Sequence, residues 1–134
     1  AEKYLNKNGS IINISSIAGK RGTKNNSAYV ATKFGINGIT QSLAKELGYK
    51  NIRVNAICPV LVKTDGLLNA LKEKSAPGHD DSNLFFEKFI ENQTALNRLP
   101  TINEVAQMVL FLASKNASAI TGQCINVDCG VLPQ

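Results

Sequence analysis

No run of about eighteen apolar residues occurs in this chain, so no segment reads as a membrane-spanning helix and no membrane is an expected partner. The opening AEKYLNKNGS lacks the apolar core that a secretory leader carries. Cysteine is scarce. Cys58, Cys124 and Cys129 form an odd set without a CxxC pair, which argues for reduced thiols that pack as small apolar residues. A cytoplasmic protein is therefore expected. Histidine is scarcer: His79 stands alone in the polar, turn-rich SAPGHDDSN and reads as a loop residue. A zinc site needs several ligands at set spacings, so no metal site is expected. The net charge is +5, but pairs such as Lys20-Arg21 and the separate Lys72 and Lys74 are scattered. No basic stripe interleaved with aromatics appears, and nucleic acid is not an expected partner.

What is present suffices for one globular domain. A chain of 134 residues with 43% apolar content can bury a core without disulfides or metals. GSIINIS places a buried strand over about Ser10 to Ile14, and the Gly- and Asn-rich IAGKRGTKNNS that follows reads as a loop. Ser27 is placed to cap a helix from about Ala28, with Ile36, Ile39, Leu43 and Leu47 as its apolar face and Gly48 as its C-cap. IRVNAI (Ile52 to Ile57) is a second strand, stopped at Pro59. Short amphipathic pieces follow, broken at Pro77-Gly78. Thr101 with Glu104 forms a capping box for a helix whose apolar face is Val105, Met108, Val109, Leu112 and Ala113. GQCINVD is a last strand. Alternating strands and helices make an α/β fold with a parallel sheet, and only about three strands leave an edge open. The chain is expected to be incomplete.

In SAYVATKFG, Tyr29 and Lys33 lie at i and i+4 and share one helix face. A phenol ordinarily titrates near 10 and is a poor proton shuttle at neutrality, and an adjacent ammonium favours its ionised form. Taken alone, the pair is either surface decoration or a device for making a phenol acidic. Asn13 and Asn55 sit inside apolar strands, where an amide must find partners. They are expected to hold loops around the site.

Here the chain resembles the short-chain dehydrogenase/reductase family, over about Ser10 to Gly130. NISSIAG (Asn13 to Gly19) looks like that family's active-site serine segment, and YVATK (Tyr29 to Lys33) matches its Tyr-x-x-x-Lys element. IRVNAICPVLVKT resembles its strand and cofactor-contact loop, and TGQCINVDCG its C-terminal strand. The resemblance implies the C-terminal part of a Rossmann-like doubly wound sheet, with residues 1–134 forming the second portion of one NAD(P)-binding domain. It implies Tyr29 as acid/base, with Lys33 aiding it and bonding the nicotinamide ribose. Ser16 would donate to the developing alkoxide, and Ser15 is the competing candidate, since one step along a strand reverses the side. Pro59, Val60, Val62 and Thr64 resemble the segment that packs on the nicotinamide of NAD or NADP. Val60 departs from the family's usual glycine, and a β-carbon there holds backbone away from a flat ring.

The resemblance further implies a small-molecule alcohol or carbonyl substrate beneath a lid over residues 65–99. In that lid Leu67, Leu68, Leu71, Phe85, Phe86 and Phe89 are expected to pack on one another, and Lys63 is read as solvated rather than as a contact for an anionic substrate. Cys58 reads as apolar filler, with an oxidisable thiol as the other reading. Gly35 and Gly38 cost the long helix about 1 kcal/mol each relative to alanine. Either a second copy of the helix approaches there, giving a homodimer or homotetramer, or the helix packs closely on its own sheet. No glycine-rich phosphate turn such as G-x-G-x-x-G occurs in the chain. As this fragment alone, the polypeptide is expected to be inactive. The alternative is a non-enzymatic half-domain or scaffold that completes or binds a partner chain.

Overall fold

Isoleucine and valine are stiff at χ1 and pack well on a pleated surface, and they build the sheet. In a computed structural model, which describes residues 5–133, three parallel strands lie side by side in sequence order. They are β1 (Ser10–Ile14), β2 (Arg53–Pro59) and β3 (Cys124–Val127). Ser10 stands opposite Arg53 and Ile14 opposite Ile57, while Ala56 faces Cys124 and Pro59 faces Val127. The helices are α1 (Ser27–Leu47), α2 (Asp65–Ala70), α3 (Ser82–Gln93) and α4 (Ile102–Ala113). The α/β class with a parallel sheet is the one expected from the sequence.

Alternation along the strands sends neighbours to opposite faces. Val54 joins Ala44, Leu47 and Ile52 under α1, with Ile11 and Leu43 against them. Ile57 joins Leu112 and Ala117 under α4, backed by Ile12, Val105, Met108 and Val109. β2, with α1 and α4 on its two faces, is therefore buried almost throughout. β1 is apolar too, but it is an edge strand and only half-buried, and Ile14 at its end is 52% exposed. A third cluster of Ile17, Cys58 and Val131, with Val60, Phe89, Cys124 and Leu132, closes the carboxyl end of the sheet.

Four local expectations are corrected. Ser27 is already helical; Asn26 is the cap residue and offers no side-chain bond. Gly48 is right-handed and opens a 3-10 turn, so the left-handed stop falls three residues on at Asn51 (φ 58). The face that α1 buries is Asn37, Thr40, Ala44 and Leu47, about one residue out of phase with the isoleucine pattern, and Ile39 is 56% exposed. Polar Asn37 and Thr40 go inward because both find partners there, Gly19 for one and Asn13 for the other. In α4 the expected face packs inward except Ala113, which is exposed beyond the last core contact.

The capping box of α4 forms as read: Glu104 N donates to Thr101 Oγ1 at 3.1 Å and Thr101 N donates to Glu104 Oε2 at 2.8 Å. At the other end of α4, Arg53 donates to the carbonyls of Leu112 (2.7 Å) and Ser114 (3.2 Å), and Ser10 Oγ to Leu112 (3.1 Å). A cation and a hydroxyl from the sheet thus satisfy carbonyls that no helical turn follows. Gly35 and Gly38 lie on the outward face of α1, where an added Cβ would meet nothing within 4 Å. They do not serve close packing on the chain's own sheet.

Candidate active site

Because all three strands are parallel, their carboxyl ends share one edge, where open α/β sheets bind ligands. Ser15 and Ser16 follow β1 there, the Pro59–Thr64 segment follows β2, and Asp128–Gly130 follows β3. The first turns of α1 bring Tyr29 and Lys33 to the same edge. Lys33 Nζ lies 5.4 Å from the centroid of the Tyr29 ring and donates to the carbonyl of Ile14 at 3.0 Å. An ammonium has three donors, so protons remain for a ligand. Tyr29 is 44% exposed, and its hydroxyl makes no hydrogen bond among the described residues.

The two serines face different surroundings. Ser15 is 3% exposed and its Oγ donates inward to the carbonyl of Lys33 at 3.3 Å. Ser16 is half-buried; its Oγ accepts from Ala18 N at 3.1 Å, capping the 3-10 turn Ile17–Gly19, and its own proton is uncommitted. Asn13 and Asn55 do not hold loops around the site. Asn13 Nδ2 donates to Thr40 Oγ1 at 2.9 Å, bracing α1 on β1. Asn55 bonds the carbonyl of Ile120 and the N–H of Gln123, securing the segment that leads into β3. Their amides are committed to these partners rather than to the segments that carry Ser16 and Thr64.

Pro59 ends β2, and Val60 packs on the Ile17, Cys58 and Val131 cluster. Thr64 Oγ1 accepts from Leu67 N at 3.2 Å and so caps α2. Val62 and Lys63 line a cleft of about 550 Å³ with Ile90, Leu99 and Pro100. Lys63 is exposed, as read, and its Nζ sits 4.6 Å over the Phe86 ring. Within the lid, Leu71 and Phe86 are buried and the Phe85 ring meets those of Phe86 and Phe89 at a tilt, whereas Leu68 is exposed and Phe89 also joins the cluster below the site. His79 is exposed, its Nδ1 2.8 Å from the carbonyl of Lys72. Burial pushes the Cys58 thiol up, and its side chain lies fully buried against Ile17 and Val131, which favours the filler reading.

Two residues of the site's framework escaped sequence reasoning. Gly19 backs directly onto α1: a Cβ there would lie 2.6 Å from the Lys33 carbonyl. Asn37, 8% exposed, donates to the carbonyl of Gly19 at 2.8 Å. No signal in the sequence marked either, since Asn37 lies off the isoleucine stripe of α1.

Donors at this edge include the hydroxyls of Ser16, Tyr29 and Thr64 and the ammonium of Lys33. That set suits the ribose hydroxyls and carboxamide of a nicotinamide nucleotide. It includes no glycine-rich turn for a pyrophosphate.

Fold and edge together define a parallel α/β half-domain of the Rossmann type. A family model described as enoyl-(acyl carrier protein) reductase matches residues 1–132. A 3-oxoacyl-[acyl-carrier-protein] reductase of Chlamydia muridarum is 41% identical over 128 residues, which cover 93% of this chain and 46% of that protein. The trans-4-hydroxycyclohexanecarboxylate dehydrogenase of Sinomonas cyclohexanicum is 40% identical over 122 residues, covering 91% of this chain and 40% of its own. A short-chain dehydrogenase structure from Francisella tularensis superposes with a TM-score of 0.88 at 32% identity, covering 97% of this chain and 53% of that one. The chain belongs to the short-chain dehydrogenase/reductase family. It spans about half the length of the curated relatives it matches.

Proposed function

We propose that this chain is the C-terminal half of an NAD(P)-dependent oxidoreductase that interconverts a small-molecule alcohol and its carbonyl compound. The observation that carries the reading is the placement of Lys33, whose ammonium reaches both the Tyr29 ring and the end of β1 beside Ser16. In the reducing direction Tyr29 Oη gives its proton to the carbonyl oxygen as negative charge develops there. The Lys33 ammonium stabilises the phenolate that is left, and Ser16 Oγ donates to the same substrate oxygen. A nicotinamide nucleotide, when bound, supplies the hydride. Lys33 and Tyr29 would hold its ribose, and Pro59, Val60, Val62 and Thr64 would form the wall beside its ring. The relatives named as 3-oxoacyl reductases make a 3-oxoacyl thioester the first substrate to assay.

The outward face of α1 supports self-association of the enzyme. Phe34 and Ile39 are half-exposed there, beside two glycines with open space above them. A homodimer or homotetramer would cover this face.

Turnover of the full-length protein with NADPH or NADH tests the catalytic reading. Tyr29→Phe should lower kcat by about a hundredfold or more, within or above the range general acid catalysis supplies. A Tyr29→Phe enzyme with wild-type kcat would remove the role.

A further inference from the structure

Beneath the proposed site lies a buried polar cluster that hydride chemistry does not itself require. Asn37 is its centre, with Ser15 (3% exposed) and Cys58 (fully buried) around it. Asn37 Nδ2 donates to the carbonyl of Gly19, on the turn that follows Ser16, at 2.8 Å. Its Oδ1 accepts from Cys58 Sγ at 3.9 Å, and Cys58 immediately precedes Pro59. Asn37 itself sits one helical turn beyond Lys33 on α1. Ser15 Oγ adds a bond to the Lys33 carbonyl at 3.3 Å. Gly19 permits the contact, since any β-carbon there would fall 2.7 Å from Asn37 Nδ2.

We infer that Asn37 is a positioning residue: one buried amide ties together the three segments that present Ser16, Lys33 and the Pro59–Thr64 wall. A buried amide with both ends bonded has one favourable orientation, because turning it would leave a donor and an acceptor unpaired. It therefore fixes the spacing of the three segments more sharply than apolar packing, which tolerates slippage. Asn37 touches no reacting atom. It acts through Gly19 and Cys58, and the inference rests on the oxidoreductase reading above.

The test is steady-state kinetics of the full-length Asn37→Leu enzyme, a substitution of similar bulk that removes both bonds. A displacement of reacting groups by even about 1 Å can cost a hundredfold in rate. We expect kcat to fall about tenfold or more while KM for the carbonyl substrate changes less than about threefold. The folded fraction, read by gel filtration and circular dichroism, should stay unchanged. Asn37→Gln, which retains an amide able to reach Gly19, should keep more of kcat than Asn37→Leu. A folded Asn37→Leu enzyme with wild-type kcat overturns the inference. Should that variant not fold, Asn37→Asp keeps the shape and the acceptor facing Cys58 but cannot donate to Gly19. The same kcat loss is then expected, and wild-type kcat overturns the inference. If Tyr29→Phe is inactive while Asn37→Leu is normal, only this inference fails. If Tyr29→Phe is also normal, the oxidoreductase mechanism fails with it.

Discussion

Gly130 lies at φ +81, and a β-carbon there would fall 2.6 Å from the Ala95 Cβ. Its neighbour Cys129, itself left-handed at φ 54, accepts through its carbonyl from the N–H groups of Ala95 and Leu96. Asp128 fixes this bend by accepting from Gly130 N at 3.0 Å and Leu132 N at 2.8 Å. The turn after β3 thereby clasps the segment that leaves the lid helix α3. Gly130→Ala combines a left-handed β-carbon with overlap against backbone-attached carbon, so it should destabilise the full-length protein by about 2–4 kcal/mol. Denaturant unfolding of both proteins checks this, and an unchanged midpoint would contradict it. At this scale the sequence was informative where two residues one helical turn apart must share a face, as Tyr29 and Lys33 do. It was silent where a role depends on contact. Asn37 lies off the isoleucine stripe, and nothing in the letters showed that Gly19 lay beneath it.

Among the elements, α4 was the most legible, because a capping box is written in four consecutive residues and depends on nothing remote. Arg98 extends it: its guanidinium grips Glu104 in two bonds of 2.7 and 2.9 Å. That pairing, with the Thr101 N–H, holds the Glu104 carboxyl down at about 2. A carboxyl held lower in the folded protein than in the unfolded chain stabilises above its ordinary range. The contribution is lost as pH falls through that range towards about 2. Both side chains are well exposed, so the effect is modest. Glu104→Gln should therefore unfold slightly more readily than wild type at pH 7. The difference should close progressively below about pH 4.5. Thermal melts at several pH values check this, and a gap that persists at pH 2 would contradict it. α1 was less legible. Its length and period were plain, but its phase was not, since isoleucines at 36 and 39 outvote an asparagine and a threonine in any hydropathy count. The buried face went to the residues with partners on β1 and its following turn.

For the molecule as a whole, a three-stranded parallel sheet ending at β1 leaves a row of backbone donors and acceptors on one edge. In a parallel pair alternate residues bond the same neighbour. Ser15 N bonds Ile57 and Arg53 N bonds Gly9, so Ser10, Ile12 and Ile14 turn their groups outward, and Lys33 takes up one of them. With the chain matching only 46% of a relative's length, the polypeptide isolated from its native source should have an intact mass about twice 14.4 kDa. A mass equal to that of this chain, with no companion polypeptide, would favour a half-domain that serves a partner. Among the described residues no helix is long and apolar enough to cross a membrane. The sequence by itself determined the α/β alternation, the strand positions and the Tyr29–Lys33 face, because these follow from periods of two and 3.6 within short windows. Only the tertiary structure decided which serine turns inward, which face of α1 is buried, and which amide joins the segments around the site. Those outcomes depend on groups distant in sequence that meet once the sheet has formed, and no local period encodes such meetings.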